Sequence, residues 1–324
     1  MSVPFFIAAL SAWRAAHSAM ADAGLATDAV VRLSIKTVPD ARTAETLGAE
    51  REGTGVVISE DGLVLTIGYL ILEAASILVV TEDGRVFPAS VAGFDHATGF
   101  GLLRVQAGVA RRPLELGDSS AARELHILSV ATHPSAGGHS HASIVSRRRF
   151  TGWWEYLLDE AIFTAPPRGD HSGAALIDAG GRLVGIGSLW VSDALDIGAA
   201  FPGNMFVPVD LLKPVLGDLV ATGRRSGPAR PWLGVYSESI DGHLAVTRVL
   251  PDSPAEHAGL QRGDVILGVG GHAIGSQSEF YQKLWASGGA GADITLHIVR
   301  DKKVRHIIAH SADRLDYLRP WKVS

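Results

Sequence analysis

The chain has 324 residues, enough for two or three domains, and 47% of them are hydrophobic, which suffices for a core in each. Its 29 basic and 34 acidic side chains give a net charge of -5, and no basic run is longer than Arg147, Arg148 and Arg149, so nucleic-acid binding is not indicated. The absence of cysteine excludes disulfides, thiolate metal sites and a cysteine nucleophile, and it leaves the redox compartment open.

The N-terminal segment, residues 1–23, has two interpretations that differ in cellular location. Residues 3–10 are apolar and residues 19–21 have the A-x-A form of a signal-peptidase site, although no positive charge precedes the apolar run. The alternative is an amphipathic helix whose apolar side includes Phe5 and Phe6. No apolar run reaches the length of about 18 residues that a membrane-spanning helix needs, so no transmembrane span is predicted.

From about residue 28 onward, short β-type runs alternate with turn signals, a pattern typical of an all-β barrel. Glycine ends the polar turns at 60–62 and 82–84, where a tight hairpin needs positive φ. Apolar residues then recur at spacings of three and four between 210 and 221, and Gly223 follows them, which predicts a helix. The predicted strands of this first part are 29–35, 55–58, 63–66, 76–80, 125–131, 142–146, 161–164, 174–177 and 183–188.

A short polar segment rich in glycine and arginine, residues 223–229, indicates a linker. A smaller α+β unit is predicted after it, and residues 313–324 form a C-terminal tail. The predicted strands of this unit are 244–249, 264–269, 294–299 and 304–309, and its predicted helices are 254–258 and 276–285.

Four segments, 53–66, 207–215, 230–235 and 249–266, together resemble the HtrA family, in which a trypsin-like double β-barrel protease precedes a PDZ domain. The first resembles the hairpin before the catalytic histidine, and the second resembles the helix that closes the protease domain. The third is similar to the carboxylate-binding loop of the PDZ domain, and the fourth is similar to its core signature. The resemblance covers nearly the whole chain from about residue 28 to 311.

This resemblance implies a mainly β fold, with a trypsin-like double β-barrel followed by a small α+β PDZ domain. It places the protease-fold domain at 24–222 and the PDZ domain at 230–312, with the linker 223–229 between them. It also implies a location in the periplasm or cell envelope, whereas a cytoplasmic location is expected if the N-terminal segment is not a signal. No cofactor is predicted.

The catalytic triad is where the chain departs from the family pattern. The family's histidine follows the strand ending V-L-T after two residues, but that position here is Tyr69. The family's aspartate position, in the D-x-x-T-D-L-A-L-L segment, is Gly99. Ser172 retains the nucleophile position within G-D-H-S-G, while Asp170 stands where a glycine amide lines the oxyanion hole. Aligning Asp170 instead with the family's acidic or amide residue before the serine requires the insertion of His171.

These replacements predict a pseudoprotease. A serine hydroxyl attacks a carbonyl only when a nearby base takes its proton, and a tyrosine with a pKa near 10 is a donor at neutral pH. Glycine cannot hold a histidine tautomer, and a carboxylate at Asp170 opposes negative charge that develops nearby. Loss of the base alone costs a factor of the order of 10⁶ in turnover. The alternative is an active serine endopeptidase in which Ser172 uses an unrecognised base, with His96 and His171 as the candidates.

Two other clusters have structural interpretations that we prefer over ligand binding. His133, His139 and His141 lie in a glycine-rich stretch that contains no carboxylate, so a polar loop is expected there and no metal site is predicted. The aromatic residues Trp153 and Trp154 are expected to cover the barrel or an interface.

The PDZ half predicts peptide binding, because this function needs backbone amides and no rare side-chain constellation. Trp232, Leu233, Gly234 and Val235 are the predicted peptide-binding residues, whose amides hold a C-terminal carboxylate while the peptide adds a strand. The expected partners are peptide or protein C-termini and unfolded proteins. The resemblance further implies a homotrimer through N-terminal aromatic residues, or association with an active relative.

Overall fold

The computed structural model describes residues 27–110 and 112–319. The chain forms two compact units, which are described separately here. The first contains the described residues up to Arg148 together with Glu160–Arg225, and the second joins Arg149–Asp159 to the described residues from Ser226 onward. The predicted N-terminal helix or signal, with Phe5 and Phe6, lies outside the described residues.

The first unit contains two closed β-barrels of six strands each. In the first barrel the strand order is β1-β2-β3-β6-β5-β4, and β1 pairs with both β2 and β4, which closes the ring. In the second barrel the order is β10-β11-β12-β9-β8-β7. The strands are β1 (Val30–Thr37), β2 (Glu50–Val57), β3 (Leu63–Ile67), β4 (Ala74–Val80), β5 (Val86–Phe94), β6 (Phe100–Arg104), β7 (Ile127–Ala131), β8 (His139–Gly152), β9 (Tyr156–Ala165), β10 (Ala175–Ile177), β11 (Leu183–Val191) and β12 (Gly203–Pro208).

Apolar side chains that the strands direct inward fill each barrel. In the second barrel the core includes Ile144, Leu176 and Phe206, which are fully buried. The helices of this unit are α1 (Ala44–Leu47) and α2 (Leu216–Thr222), and its short 3₁₀ helices are Thr27–Ala29, Gly68–Leu70, Ser119–Ala121, Pro134–Ala136 and Val209–Leu211.

The predicted continuous helix at 210–221 is wrong in its first half. The structure has the 3₁₀ helix Val209–Leu211 and then α2, which begins only at Leu216. Pro214 explains the break, because proline has no amide hydrogen and disfavours the helical conformation of the residue before it. Gly223 ends α2 in a left-handed conformation, as predicted.

The second unit is built on one antiparallel sheet with the strand order β13-β14-β15-β17-β18, and β16 pairs with β15. Ser253 and Ser276 cap its helices through hydrogen bonds from Glu256 N and Glu279 N. Its strands are β13 (Val235–Ile240), β14 (His243–Val249), β15 (Val265–Val269), β16 (His272–Ala273), β17 (Asp293–Arg300) and β18 (Lys303–His310), and its helices are α3 (Pro254–His257), α4 (Gln277–Ala286) and α5 (Arg314–Tyr317).

The core of the second unit includes one residue from the distant segment Arg149–Asp159. Leu157 is buried in the same cluster as Phe280, Leu284 and Leu296. The tip of the β8–β9 hairpin is therefore part of this unit. Among the helices of the described residues, none is both long and apolar enough to cross a membrane.

Candidate functional site

Tyr69 lies on the 3₁₀ helix Gly68–Leu70, directly after β3. Gly68 is required there, since a Cβ atom would lie 1.9 Å from the ring of Phe94. The buried guanidinium of Arg51 fixes the turn, because its Nη1 donates to the carbonyls of Tyr69 at 2.8 Å and Leu72 at 2.9 Å. Burial lowers the pKa of Arg51 to about 10, so the side chain remains a cation at neutral pH.

Ser172 lies in the turn between β9 and β10, and this turn packs against β2 of the first barrel. Its carbonyl accepts a hydrogen bond from Thr54 N at 2.8 Å. Gly173 has a φ of +78°, and a Cβ atom there would lie 1.9 Å from Thr54 O, so only glycine fits. The two barrels thus bring the serine turn and the tyrosine turn together.

The side chains of Tyr69 and Ser172 are hydrogen-bonded, with 2.8 Å between Oη and Oγ. Tyr69 Oη also lies 2.8 Å from the carbonyl oxygen of Ser188. A phenol has one hydrogen and a carbonyl can only accept, so both bonds form only when Tyr69 donates to Ser188 and Ser172 donates to Tyr69. The serine proton then points at a phenol oxygen.

The phenol is a poor base in this setting. Burial raises the pKa of Tyr69 to about 12, although the hydrogen bond with Ser172 acts in the opposite direction. At neutral pH the side chain therefore keeps its proton. The hydrogen bond satisfies the serine hydroxyl and does not activate it.

Gly99 contributes only backbone to this region. Its carbonyl accepts from Gly68 N at 2.7 Å, its amide donates to Asp95 O at 2.7 Å, and its φ of +82° lies in the left-handed region. Asp95, a buried acid near this turn, is held by Arg225 Nη2 at 2.8 Å and by Thr98 Oγ1 at 2.6 Å. Burial raises its pKa, but the bonds from Arg225 and Thr98 outweigh burial, and the net pKa lies below its usual value.

Asp170 forms a bidentate ion pair with Arg168, at 2.9 Å from Nε to Oδ1 and 2.5 Å from Nη2 to Oδ2. Thr132 Oγ1 donates to the same carboxylate at 2.7 Å. Burial raises the pKa of Asp170, but the hydrogen bonds from Arg168 and Thr132 outweigh it and the net pKa is lowered. Arg168 also donates to Ser140 Oγ at 2.5 Å, which ties the serine loop to β8.

The two candidate bases are engaged elsewhere. Nδ1 of His171 donates to Arg168 O at 3.0 Å, and burial lowers the pKa of this imidazole, so the neutral form predominates at pH 7. The ring of His96 packs edge-on against Phe94 with centroids 4.4 Å apart. Within residues 27–110 and 112–319, the side-chain partner of Ser172 Oγ is Tyr69 and not a histidine.

The histidines near β8 are placed by protein contacts. His133 is buried, with Nε2 3.2 Å from Thr81 O, so it is not the exposed loop residue that its sequence context indicates. The rings of His139 and His141 meet edge to face at 4.8 Å. No group of three or more metal-ligating side chains suited to a metal ion exists in the described part of the chain.

The predicted carboxylate-binding loop, Trp232 to Val235, surrounds the side chain of Glu155. Oε1 accepts from Gly234 N at 2.7 Å and from Val235 N at 2.9 Å, and Oε2 accepts from Leu233 N at 3.1 Å. Gly234 has a φ of +81°, and a Cβ atom there would lie 2.4 Å from Ser253 Cβ, so glycine is required. The loop can therefore bind a carboxylate, and it holds one from its own unit.

Two family models match the chain at the units described above. The model of the trypsin-like peptidase domain matches residues 53–186, and the model of the PDZ domain matches residues 231–309. A serine endoprotease DegS of Haemophilus influenzae is 31% identical over 229 residues, or 66% of this chain and 64% of the relative. The periplasmic serine endoprotease DegP of Escherichia coli is 30% identical over 271 residues, or 78% of this chain and 55% of the relative. The chain is an HtrA-like protein.

Solved structures support the same fold for this HtrA-like chain. An HtrA-type protease AlgW, solved with a tripeptide, superimposes with a TM-score of 0.53 at 23% identity and covers 92% of this chain and 96% of its own. A serine endoprotease from Yersinia pestis gives a TM-score of 0.53 at 23% identity, with 89% and 95% covered. The predicted resemblance and the mainly β fold are confirmed. The chain spans only 64% and 55% of the lengths of the DegS and DegP relatives.

The sequence analysis did not identify three residues that the structure places in or beside the candidate sites. Arg51 and Arg168 carry no local motif that marks them as anchors, although the single acidic neighbour of Arg168 at Asp170 is a weak signal for an ion pair. Glu155 lies between Trp154 and Tyr156, and this aromatic setting for a charged residue is the only hint that it is buried.

Proposed function

We propose that this HtrA-like chain is a pseudoprotease that binds peptides or unfolded protein and does not hydrolyse them. The observation that carries the proposal is the 2.8 Å hydrogen bond between Ser172 Oγ and Tyr69 Oη, at the position where the family has its general base. A phenol whose pKa is raised to about 12 cannot take the serine proton at neutral pH.

The other residues around Ser172 support the same conclusion. Gly99 has no side chain with which to orient a base, and His171 donates its Nδ1 proton to a backbone carbonyl. Asp170 adds a carboxylate close to the serine turn, where the reaction develops negative charge, although its pairing with Arg168 neutralises much of it. The missing base alone corresponds to roughly 8 kcal/mol of barrier.

The binding half of the proposal depends on the PDZ unit. Its loop presents three amides that point at one carboxylate, which is the arrangement that captures a peptide C-terminus. A related HtrA-type protease has been solved with a tripeptide. Peptide or protein C-termini and unfolded proteins are therefore the proposed ligands. Assembly as a homotrimer or with an active relative, and a place in the periplasm or cell envelope, are proposed by analogy with the family.

Hydrolysis of unfolded casein at high protein concentration tests the catalytic half. The wild type and Ser172→Ala are prepared identically, so that a contaminating protease acts equally in both preparations. We expect both to be equally inert.

Cleavage by the wild type but not by Ser172→Ala would overturn the proposal and establish an active serine endopeptidase. In that case His96→Ala and His171→Ala identify the base, since only the substitution that removes it abolishes cleavage.

A further inference from the structure

The tip of the β8–β9 hairpin, residues 152–156, is bound along its backbone by the second unit, to which it belongs. Tyr281 Oη donates to Gly152 O at 2.9 Å and accepts from Glu155 N at 3.1 Å. Ser237 N donates to Trp153 O at 3.1 Å. Every tip residue from Gly152 to Glu155 is held, because Arg314 Nη1 also donates to Trp154 O at 3.1 Å.

These contacts reproduce the contacts that a peptide C-terminus makes. β13 lies at the edge of its sheet, and the amides of Val235 and Ser237, two residues apart, face the same open edge. The first of these amides binds the carboxylate of Glu155, and the second binds the carbonyl of Trp153. The tip thus supplies a side-chain carboxylate in the place of a terminal one, together with the first hydrogen bond of an added strand.

Glu155 is committed to this position. Its side chain is buried, and the three loop amides of Leu233, Gly234 and Val235 surround its carboxylate. Its backbone has a φ of +57°, a left-handed conformation that costs a non-glycine residue of the order of 1 kcal/mol. A burial and a backbone strain of this kind persist only where specific contacts compensate for them.

We propose that Glu155 is an internal ligand of the carboxylate-binding loop and closes it in cis against an external C-terminal carboxylate. The inference deepens the proposed peptide-binding function and depends on it for its biological meaning. A peptide binds this loop only in the fraction of molecules whose tip has moved out, so the apparent affinity of the wild type is reduced by that fraction. The internal ligand, Glu155, and the external ligand, a peptide C-terminus, both present a carboxylate next to a backbone that can pair with β13.

Two substitutions open the loop in different ways. Glu155→Gly removes the carboxylate and accepts the positive φ without strain. Glu155→Gln keeps the size of the side chain but replaces one carboxyl oxygen with an NH₂ group, which cannot accept a hydrogen bond from the loop. Glu160→Gln is the matched control, since Glu160 is an exposed glutamate on β9, the strand that follows the tip, and its side chain pairs with Arg147.

The first probe is a fluorescent pool of short random peptides that end in a fixed apolar residue, with either a free carboxylate or an amide. The full-length proteins are titrated into it and followed by polarisation. We expect Glu155→Gly and Glu155→Gln to bind the carboxylate pool at least about tenfold more tightly than the wild type and Glu160→Gln. None of the four proteins should bind the amidated pool.

Equal affinity of the wild type and the Glu155 variants would overturn the internal-ligand inference and leave the peptide-binding function in place. If no protein binds the pool, propionate is the second probe. A thermal stabilisation of Glu155→Gly by propionate, with no effect of chloride at equal ionic strength and no effect on the wild type, supports the inference while the peptide-binding function fails. The absence of both responses overturns the inference as well.

Discussion

At the scale of single residues, Tyr69 shows how a serine turn can be kept without its chemistry. A partly buried hydroxyl and a buried carbonyl both need hydrogen-bond partners, and one phenol serves Ser172 and Ser188 together. Glycine is still required on either side of this contact, because Thr54 O lies close to Gly173 and the ring of Phe94 lies close to Gly68. The turn geometry therefore has a structural use that does not depend on hydrolysis.

Tyr69→Phe tests this structural use. The substitution removes both hydrogen bonds and leaves Ser188 O buried without its side-chain donor, so we expect the free energy of unfolding of the first unit to fall by about 1–2 kcal/mol. Urea denaturation of the two proteins measures the difference. Thr222→Val serves as the control, because it removes a hydroxyl from an exposed site and should cost much less. An unchanged free energy of unfolding in Tyr69→Phe would show that the hydrogen bonds of Tyr69 with Ser172 and Ser188 contribute nothing to stability.

At the scale of elements, Arg168 and Asp170 attach the loop that carries Ser172 to the β7–β8 turn. Arg168 contacts Asp170, Thr132 and Ser140, and its own carbonyl accepts from Asn204 Nδ2 at 3.0 Å. Only 13% of the arginine side chain and 22% of the aspartate side chain are exposed, so solvent screens this pair less than a surface ion pair. The pair should therefore contribute measurably to the stability of the loop.

Asp170→Asn is expected to lower the stability of the first unit by about 1–3 kcal/mol at pH 7, since it leaves Arg168 without its counter-charge. The pKa of Asp170 is lowered in the folded state, so its stabilising charge is present above the pKa of the unfolded chain and is lost as the pH falls through the folded pKa. The difference in the free energy of unfolding between the wild type and the variant should consequently narrow below about pH 4. Urea denaturation at pH 7, 5 and 3 measures this difference.

The control for this titration is Asp196→Asn, which removes an aspartate that is 72% exposed beside Arg148. This substitution should change the free energy of unfolding little at every pH, because solvent screens an exposed ion pair. A difference for Asp170→Asn that stays constant between pH 7 and pH 3 contradicts the assignment of the stabilisation to the ionised carboxylate.

At the scale of the whole molecule, the sequence was sufficient where neighbouring residues determine the structure. Short β-type runs and glycine turns located most barrel strands, and the family resemblance pointed to Tyr69, Ser172 and the loop at Gly234. The sequence was insufficient where a contact joins distant positions. Tyr69 and Ser172 lie 103 residues apart, and Glu155 and Gly234 lie 79 residues apart. Packing in three dimensions decides such pairs, and no local pattern records it.

The discontinuous second unit is the largest feature that sequence reasoning missed. Division at the breaker-rich linker predicts that the PDZ domain is complete from residue 230 onward, whereas the structure adds Arg149–Asp159 to it. This segment supplies Leu157 to the core and the carboxylate of Glu155 to the loop. A unit that lacks them loses both an apolar contact and the partner of three amides.

We therefore expect a fragment that begins at Ser226 to be less stable than the same residues in the full chain, by about 2–4 kcal/mol from the lost burial of Leu157 and the lost hydrogen bonds. Hydrogen exchange measures this directly, since the amides of Leu233, Gly234 and Val235 should exchange faster in the fragment than in the full chain. A synthetic peptide of residues 149–159 should restore part of their protection, and the same peptide with Glu155→Gln should restore less. Equal protection of these amides from exchange in the fragment and in the full chain would mean that the PDZ unit folds to the same stability without the hairpin tip.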